Sequence, residues 1–108
     1  MDAAETIVEL LKAIAHPVRL RLAVALAGQE EHVGGLAERI GSSQAVVSQQ
    51  LRILRMSGVV DSARGNGRVV YRLARPELRN LLACLERCCA EHGRLHGAEA
   101  GTGGGATS

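Results

Sequence analysis

Aromatic side chains are nearly missing from this chain: Tyr71 stands alone, with no tryptophan and no phenylalanine. The core must therefore come from Leu, Ile, Val and Ala, although a hydrophobic content of 46% suits a folded globule. A single domain of 108 residues built this way is thin, and it is expected to gain further apolar burial as a homodimer. Long apolar runs are absent as well. No stretch approaches the roughly 20 residues of a membrane span, and the acidic start MDAAETIVE lacks the basic opening of a signal peptide, which points to a cytoplasmic protein. In that reducing compartment the three cysteines, Cys84, Cys88 and Cys89, are poor disulfide material and better candidates for ligation or thiol chemistry. No acid–base pair, no nucleophile with an oriented base and no phosphate loop can be picked out, Gly65-Asn66-Gly67-Arg68 being too short, so an enzyme is not expected.

Acidic charge is scarce in the middle of the chain. Residues 1–38 are net acidic, with Lys12, Arg19 and Arg21 outnumbered by Asp2, Glu5, Glu9, Glu30, Glu31 and Glu38. From residue 39 to residue 79 the balance reverses: Arg39, Arg52, Arg55, Arg64, Arg68, Arg72, Arg75 and Arg79 face only Asp61 and Glu77. Solvated faces usually mix signs, so this segregation under a formal net charge of only +2 points to phosphate binding.

Within the basic segment, the run from Gly35 to Met56 reads as two short helices around a tight turn. Leu36, Ala37 and Ile40 recur at helical spacing, Gly41 is a helix stop, and Ser43 is the expected N-cap of a helix starting at Gln44. Val47, Leu51 and Leu54 fall on one face of that second helix, while Gln44, Ser48, Gln49 and Arg52 point elsewhere. Amide and hydroxyl side chains without acidic neighbours suit a helix lying in a DNA major groove.

The remaining elements frame this reader. A first helix is expected from about Ala3 to Ala15, with Ile7, Leu10, Leu11 and Ile14 on one stripe, and a second begins afresh at Pro17 and stops at Gly28. Val59 to Arg64 and Arg68 to Leu73 are two β-prone runs around Gly65-Asn66-Gly67, which makes a hairpin, or wing. Arg64 and Arg68 flank its tip, within reach of a phosphate or a minor groove. A closing helix is expected from Pro76 or Glu77 to about His92, with Gly93 at its end. The fold class is therefore mainly α with a small β-hairpin, a homodimeric winged helix-turn-helix. Residues 1–96 form the DNA-binding and dimerisation domain, and 97–108 a disordered Gly-rich tail.

In this order the segments AHPVRLRLAVAL, SSQAVVSQQLRILRMSGVV and ARGNGRVVYRL resemble the second helix, reading helix and wing of the ArsR/SmtB family of repressors, over roughly residues 5 to 92. The resemblance implies a dimer that occupies an operator on double-stranded DNA and leaves when a metal ion, metalloid or thiol oxidant binds. It also implies that Ser43, Gln44, Ser48, Gln49 and Arg52 enter the groove, with Gln44 and Gln49 reading adenine edges and the hydroxyls and Arg52 meeting phosphate. The family's Cys-Val-Cys-Asp metal motif is replaced here by His32-Val33-Gly34-Gly35, so that thiol site cannot exist and His32 reads as a surface residue.

The thiols instead sit on the closing helix. Cys84, Cys88 and His92 are spaced four apart along one stripe, and Cys89 lies about 100° around from Cys88. Thiolates select soft acceptors, As(III), Sb(III), Cd(II) or Zn(II), and three sulfurs suit a trivalent metalloid. Leu78, Leu81, Leu82 and Leu85 are expected to continue that stripe as the dimer face, so that ligation there alters the spacing of the reading helices. Those must sit about 34 to 36 Å apart on DNA. Three alternatives stand beside a metal site: a disulfide or polysulfide switch, thiols that merely fill the interface, and an architectural DNA-binding protein of the same fold that senses nothing.

Overall fold

The computed structural model describes residues 2–100, and the side chains of residues 2–88 and of Ala90. The first helix, α1 (Ala3–Ile14), opens with a reciprocal cap: Asp2 Oδ1 accepts from the Glu5 amide at 2.8 Å, and Glu5 Oε1 accepts from the Asp2 amide at 3.2 Å. It stops because Pro17 begins a new helix, α2 (Pro17–Gly28), with its fixed φ in the first helical position. The cap of α2 is the His16 imidazole, whose Nδ1 accepts from the amides of Val18 at 3.1 Å and Arg19 at 3.4 Å.

Helix α2 is the centre of the domain, with Leu22, Ala23, Ala25, Leu26 and Ala27 buried. Around it close α3 (Val33–Ile40), α4 (Gln44–Met56) and α5 (Leu78–Ala100). Leu36 from α3, Val47, Leu51 and Leu54 from α4, and Leu82 from α5 are all fully buried in one cluster with Leu10 and Ile14 of α1. No polar or charged residue is buried among those described, so the core is wholly aliphatic, as the scarcity of aromatics requires.

Two segments pair as the wing, β2 (Val60–Gly65) and β3 (Arg68–Leu73), with Gly65 opposite Arg68. Asn66 and Gly67 between them both have positive φ, 53° and 77°, as a two-residue type I′ turn demands and as the Asn-Gly pair readily supplies. The sheet has a third strand that the sequence reading lacks: β1 (Glu31–His32) pairs antiparallel with β3, Glu31 opposite Tyr71 and His32 opposite Val70.

Three boundaries differ from expectation. Helix α3 starts at Val33, ahead of Gly34 and Gly35, because His32 caps it. Pro76 and Glu77 form a turn ahead of α5, not its first turn: the amides of Leu78 and Arg79 bond back to the carbonyls of Arg75 and Pro76, each at 2.9 Å. Helix α5 then continues past Gly93 and Gly97 to Ala100, since a glycine weakens a helix interior without forbidding it. Residues 97–100 of the expected tail belong to this helix, and the rest of it, residues 101–108, lies outside those described.

Candidate nucleic-acid interface

The turn between α3 and α4 is set by backbone chemistry. Gly41 takes a left-handed conformation, φ 71°, and its amide closes onto the Ala37 carbonyl at 2.9 Å. Two residues on, the Ser43 hydroxyl accepts from the Val46 amide at 3.2 Å and starts α4. Ser43 is thus a cap first, although its exposed hydroxyl still has a proton to offer a phosphate.

On α4 the buried stripe of Val47, Leu51 and Leu54 fixes what faces outward. At about 100° per residue, the direction opposite that stripe belongs to Ala45, Gln49, Arg52 and Met56, all exposed, Met56 by 79%. Gln49 and Arg52 therefore hold the apex of the exposed face. Gln44 and Ser48 are also exposed but lie on one flank, and Gln44 borders a shallow hollow with Glu31, His32 and Gly34 of the neighbouring elements. Ala45 was not singled out from the sequence. Its methyl sits one turn before Gln49, and only the full placement of the buried stripe brings it forward.

The wing separates the two arginines that flank its tip. Cross-strand partners share a face and successive residues alternate, so Arg64 lies on the face of Val60 and Ser62, and Arg68 on that of Asp61 and Arg72. The Val60 face is turned towards α4: Arg55 Nη1 donates to Ser62 Oγ at 3.2 Å. Arg64 is therefore on the α4 side of the wing and Arg68 on the other. Arg55 is a residue sequence reasoning missed, because its role depends on where β2 lands.

The electrostatics of this surface are uncompensated. Among the described residues the ion pairs are Glu9 with Lys12, Glu31 with His32, and Arg75 with Glu77. None of them uses Arg52, Arg64 or Arg68, which are all exposed. Arg52 and Arg64 on the α4 side of the wing, and Arg68 on its other face, are cations left without carboxylate partners, as phosphate contacts require.

A second feature lies on α5. Leu82 is buried in the domain's own core, so it cannot belong to the dimer face expected of this stripe, and Leu78 and Leu85 pack half-buried against that core. The correction is one of helical phase: Leu81 lies about 100° from Leu82 and is 41% exposed, and Cys84 and Cys88 share its outward flank, both free and exposed. Beside Leu81, exposed Ile7 and Leu11 of α1 border the same groove. Among the described residues no three His, Cys, Asp or Glu side chains come together as a metal site. The side chains of Cys89 and His92 lie outside the described residues.

Residues 16–62, which contain α2, the turn and the whole reading helix, match the family model described as bacterial regulatory protein, arsR family. The biofilm growth-associated repressor of Xylella fastidiosa (strain Temecula1) is 40% identical over 82 residues, 76% of this chain and 72% of that protein. The chain belongs to the ArsR family. Solved structures extend the likeness over most of the chain. HlyU from Vibrio cholerae has a TM-score of 0.72 at 34% identity, covering 82% of this chain and 97% of its own, and its structure is also known in a form described as reduced. A protein from Mycobacterium bovis, described as a homodimeric winged helix-turn-helix DNA-binding domain and possible ArsR-family regulator, has a TM-score of 0.69 at 28% identity over 86% of each chain. This ArsR-family chain is thus a winged helix-turn-helix transcriptional regulator, and no described helix is long and apolar enough to cross a membrane.

At the start of α3, where the family resemblance had placed a cysteine pair, this member uses His32 as a structural residue. Nδ1 accepts from the Gly35 amide at 3.2 Å, and Nε2 stands 3.5 Å from the Glu31 carboxylate.

Proposed function

We propose that this protein is a homodimeric repressor that holds its operator through α4 and the wing and releases it when a soft metal or metalloid, As(III) or Sb(III) above Cd(II) or Zn(II), engages the thiols of α5. Gln49 reads a base edge, flanked by Gln44 and Ser48. Ser43, Arg52, Arg64 and Arg68 neutralise phosphates. The observation that carries the sensing half is that exposed Cys84 and Cys88 stand one helical turn apart on the flank of Leu81, beside Ile7 and Leu11. A ligand bound there sits at the margin of the apolar face that a second copy covers, and so acts on the spacing of the two reading helices. Cys89 and His92 extend the donor set along the same helix.

Helical geometry favours a bridging ion over a direct disulfide within one helix. Residues four apart hold their Cβ atoms about 5 to 6 Å apart, whereas a disulfide needs about 3.5 to 4.5 Å. Two bonds of about 2.3 Å to a common soft ion close that gap without bending the helix. Thiol oxidation is the second reading, favoured by the likeness to a regulator whose reduced form has been distinguished. A polysulfide bridge, longer than a disulfide, spans that gap within one helix, and a bond across the dimer is the alternative route.

The deciding experiment is a titration of the reduced dimer on its own promoter DNA with As(III), Sb(III), Cd(II), Zn(II) and a polysulfide donor, repeated with Cys88→Ser. Release by a soft ion that is lost in the variant supports the metal reading. Release by polysulfide alone replaces it with the redox switch, and no release at all leaves a regulator that does not sense through these thiols.

A further inference from the structure

Arg19 leaves the first turn of α2 and bonds two other helices at once. Its Nε donates to the Ala13 carbonyl at 2.5 Å, and its Nη1 donates to Gln50 Oε1 at 2.9 Å. The first bond satisfies a carbonyl in the last turn of α1, where intrahelical partners run out, and sets a cation at the negative end of that helix. The second fixes a half-buried side chain of α4 that lies about 100° from Gln49, on the flank facing α2 and away from the reading apex.

From this arrangement we infer that Arg19 is a positioning residue that couples α1, the carrier of the exposed Ile7 and Leu11, to the orientation of the reading helix. The inference rests on the reading of α4 as the DNA-contacting helix. Its chemistry is particular to arginine. A guanidinium is a planar fork with donors at fixed angles, so a displacement of the α1 terminus turns the fork and pulls on Gln50; a lysine ammonium on a flexible stem bonds either partner without linking them. Both acceptors are uncharged, and Arg19 has no acidic partner among the described residues, so the joint depends on direction more than on charge. A change in how two copies meet at α1 thereby reaches α4 through one side chain.

The joint is tested as a double-mutant cycle with Arg19→Lys and Gln50→Leu. In the free dimer, amide exchange of α4 should quicken several-fold in each single variant and no further in the double, while sedimentation shows the dimer intact. Gln50→Glu keeps an acceptor for Arg19 and should leave α4 protected as in wild type, which a merely structural loss at this position would not allow. On a duplex that the wild-type dimer selects from a randomised pool, each single variant should bind about tenfold more weakly and the double likewise about tenfold, not about a hundredfold. Additive effects in either measurement, an Arg19→Lys variant that matches wild type, or loss of protection in Gln50→Glu would overturn the coupling. Failure to select any duplex would overturn the DNA reading, and the exchange measurement would still decide the joint.

Discussion

Arg55 at the end of α4 donates to the Ser62 hydroxyl on β2 at 3.2 Å, so the reading helix and the wing are tied by one hydrogen bond at their junction. The bond is exposed and is worth on the order of 0.5 to 1.5 kcal/mol, enough to orient the wing without locking it. The acceptor is a neutral hydroxyl, so the bond leaves the charge of Arg55 in place, and removing it takes no cation away from phosphate. Replacing Ser62 by Ala should therefore change operator affinity by roughly tenfold at most and leave its salt dependence unchanged. Arg52→Ala should instead lower the slope of log K against log salt by about 0.9, the loss of one phosphate contact. Binding measured across a salt series checks both, and an equal change of slope in the two variants would contradict the assignment.

Gln49 stands opposite the buried stripe of α4, where a side chain projects furthest from the domain. An amide there can accept and donate to adenine N6 and N7 together. Gln49→Ala should cost about 1 to 3 kcal/mol on the operator and little on random DNA. Competition binding against both sequences is the measurement, and a uniform loss would make Gln49 a solvating residue only.

The reading helix was legible in the sequence because its register is local: Val47, Leu51 and Leu54 repeat at the helical period, and all three are fully buried. The wing was legible for a similar reason, since Asn66-Gly67 prescribes the turn it makes. Strand β1 was not, because two residues carry no periodicity and Glu31–His32 is extended only through its pairing with Tyr71 and Val70, some forty positions away. The face of α5 was misread for a different reason. Leu78, Leu81, Leu82 and Leu85 span two adjacent flanks, and only packing against α2 decides that Leu82 goes inward while Leu81 stays with the thiols. Histidine capping escaped notice at both His16 and His32, because imidazole is not among the usual N-cap groups.

That capping role gives His32 a test of its own. Removing an N-cap acceptor costs typically about 1 kcal/mol, and asparagine restores one. Denaturant unfolding should show His32→Ala destabilised by about that amount and His32→Asn close to wild type. Release of DNA by a soft ion should be unchanged in both, since the imidazole acceptor is already engaged by the Gly35 amide. Loss of ion response in the asparagine variant would return His32 to the ligand set.

Leu81 and Leu82 are neighbours in sequence with opposite destinations, and this contrast separates folding from assembly. Leu82 is fully buried in the aliphatic core, so Leu82→Ala should cost about 2 to 5 kcal/mol of stability through lost burial and the cavity left behind. Leu81 is 41% exposed beside Ile7 and Leu11, at 53% and 43%, an apolar surface that a second copy would cover. Leu81→Glu removes little from the core but sets a carboxylate into that surface, twice over in a symmetric dimer. It should give a folded monomer, seen as native helicity with half the sedimenting mass, and a fall in operator affinity because one subunit presents a single reading helix. A Leu81→Glu variant that remained dimeric would move the subunit interface away from the α1 and α5 flank and take the thiols of Cys84 and Cys88 out of the path between ligand and DNA.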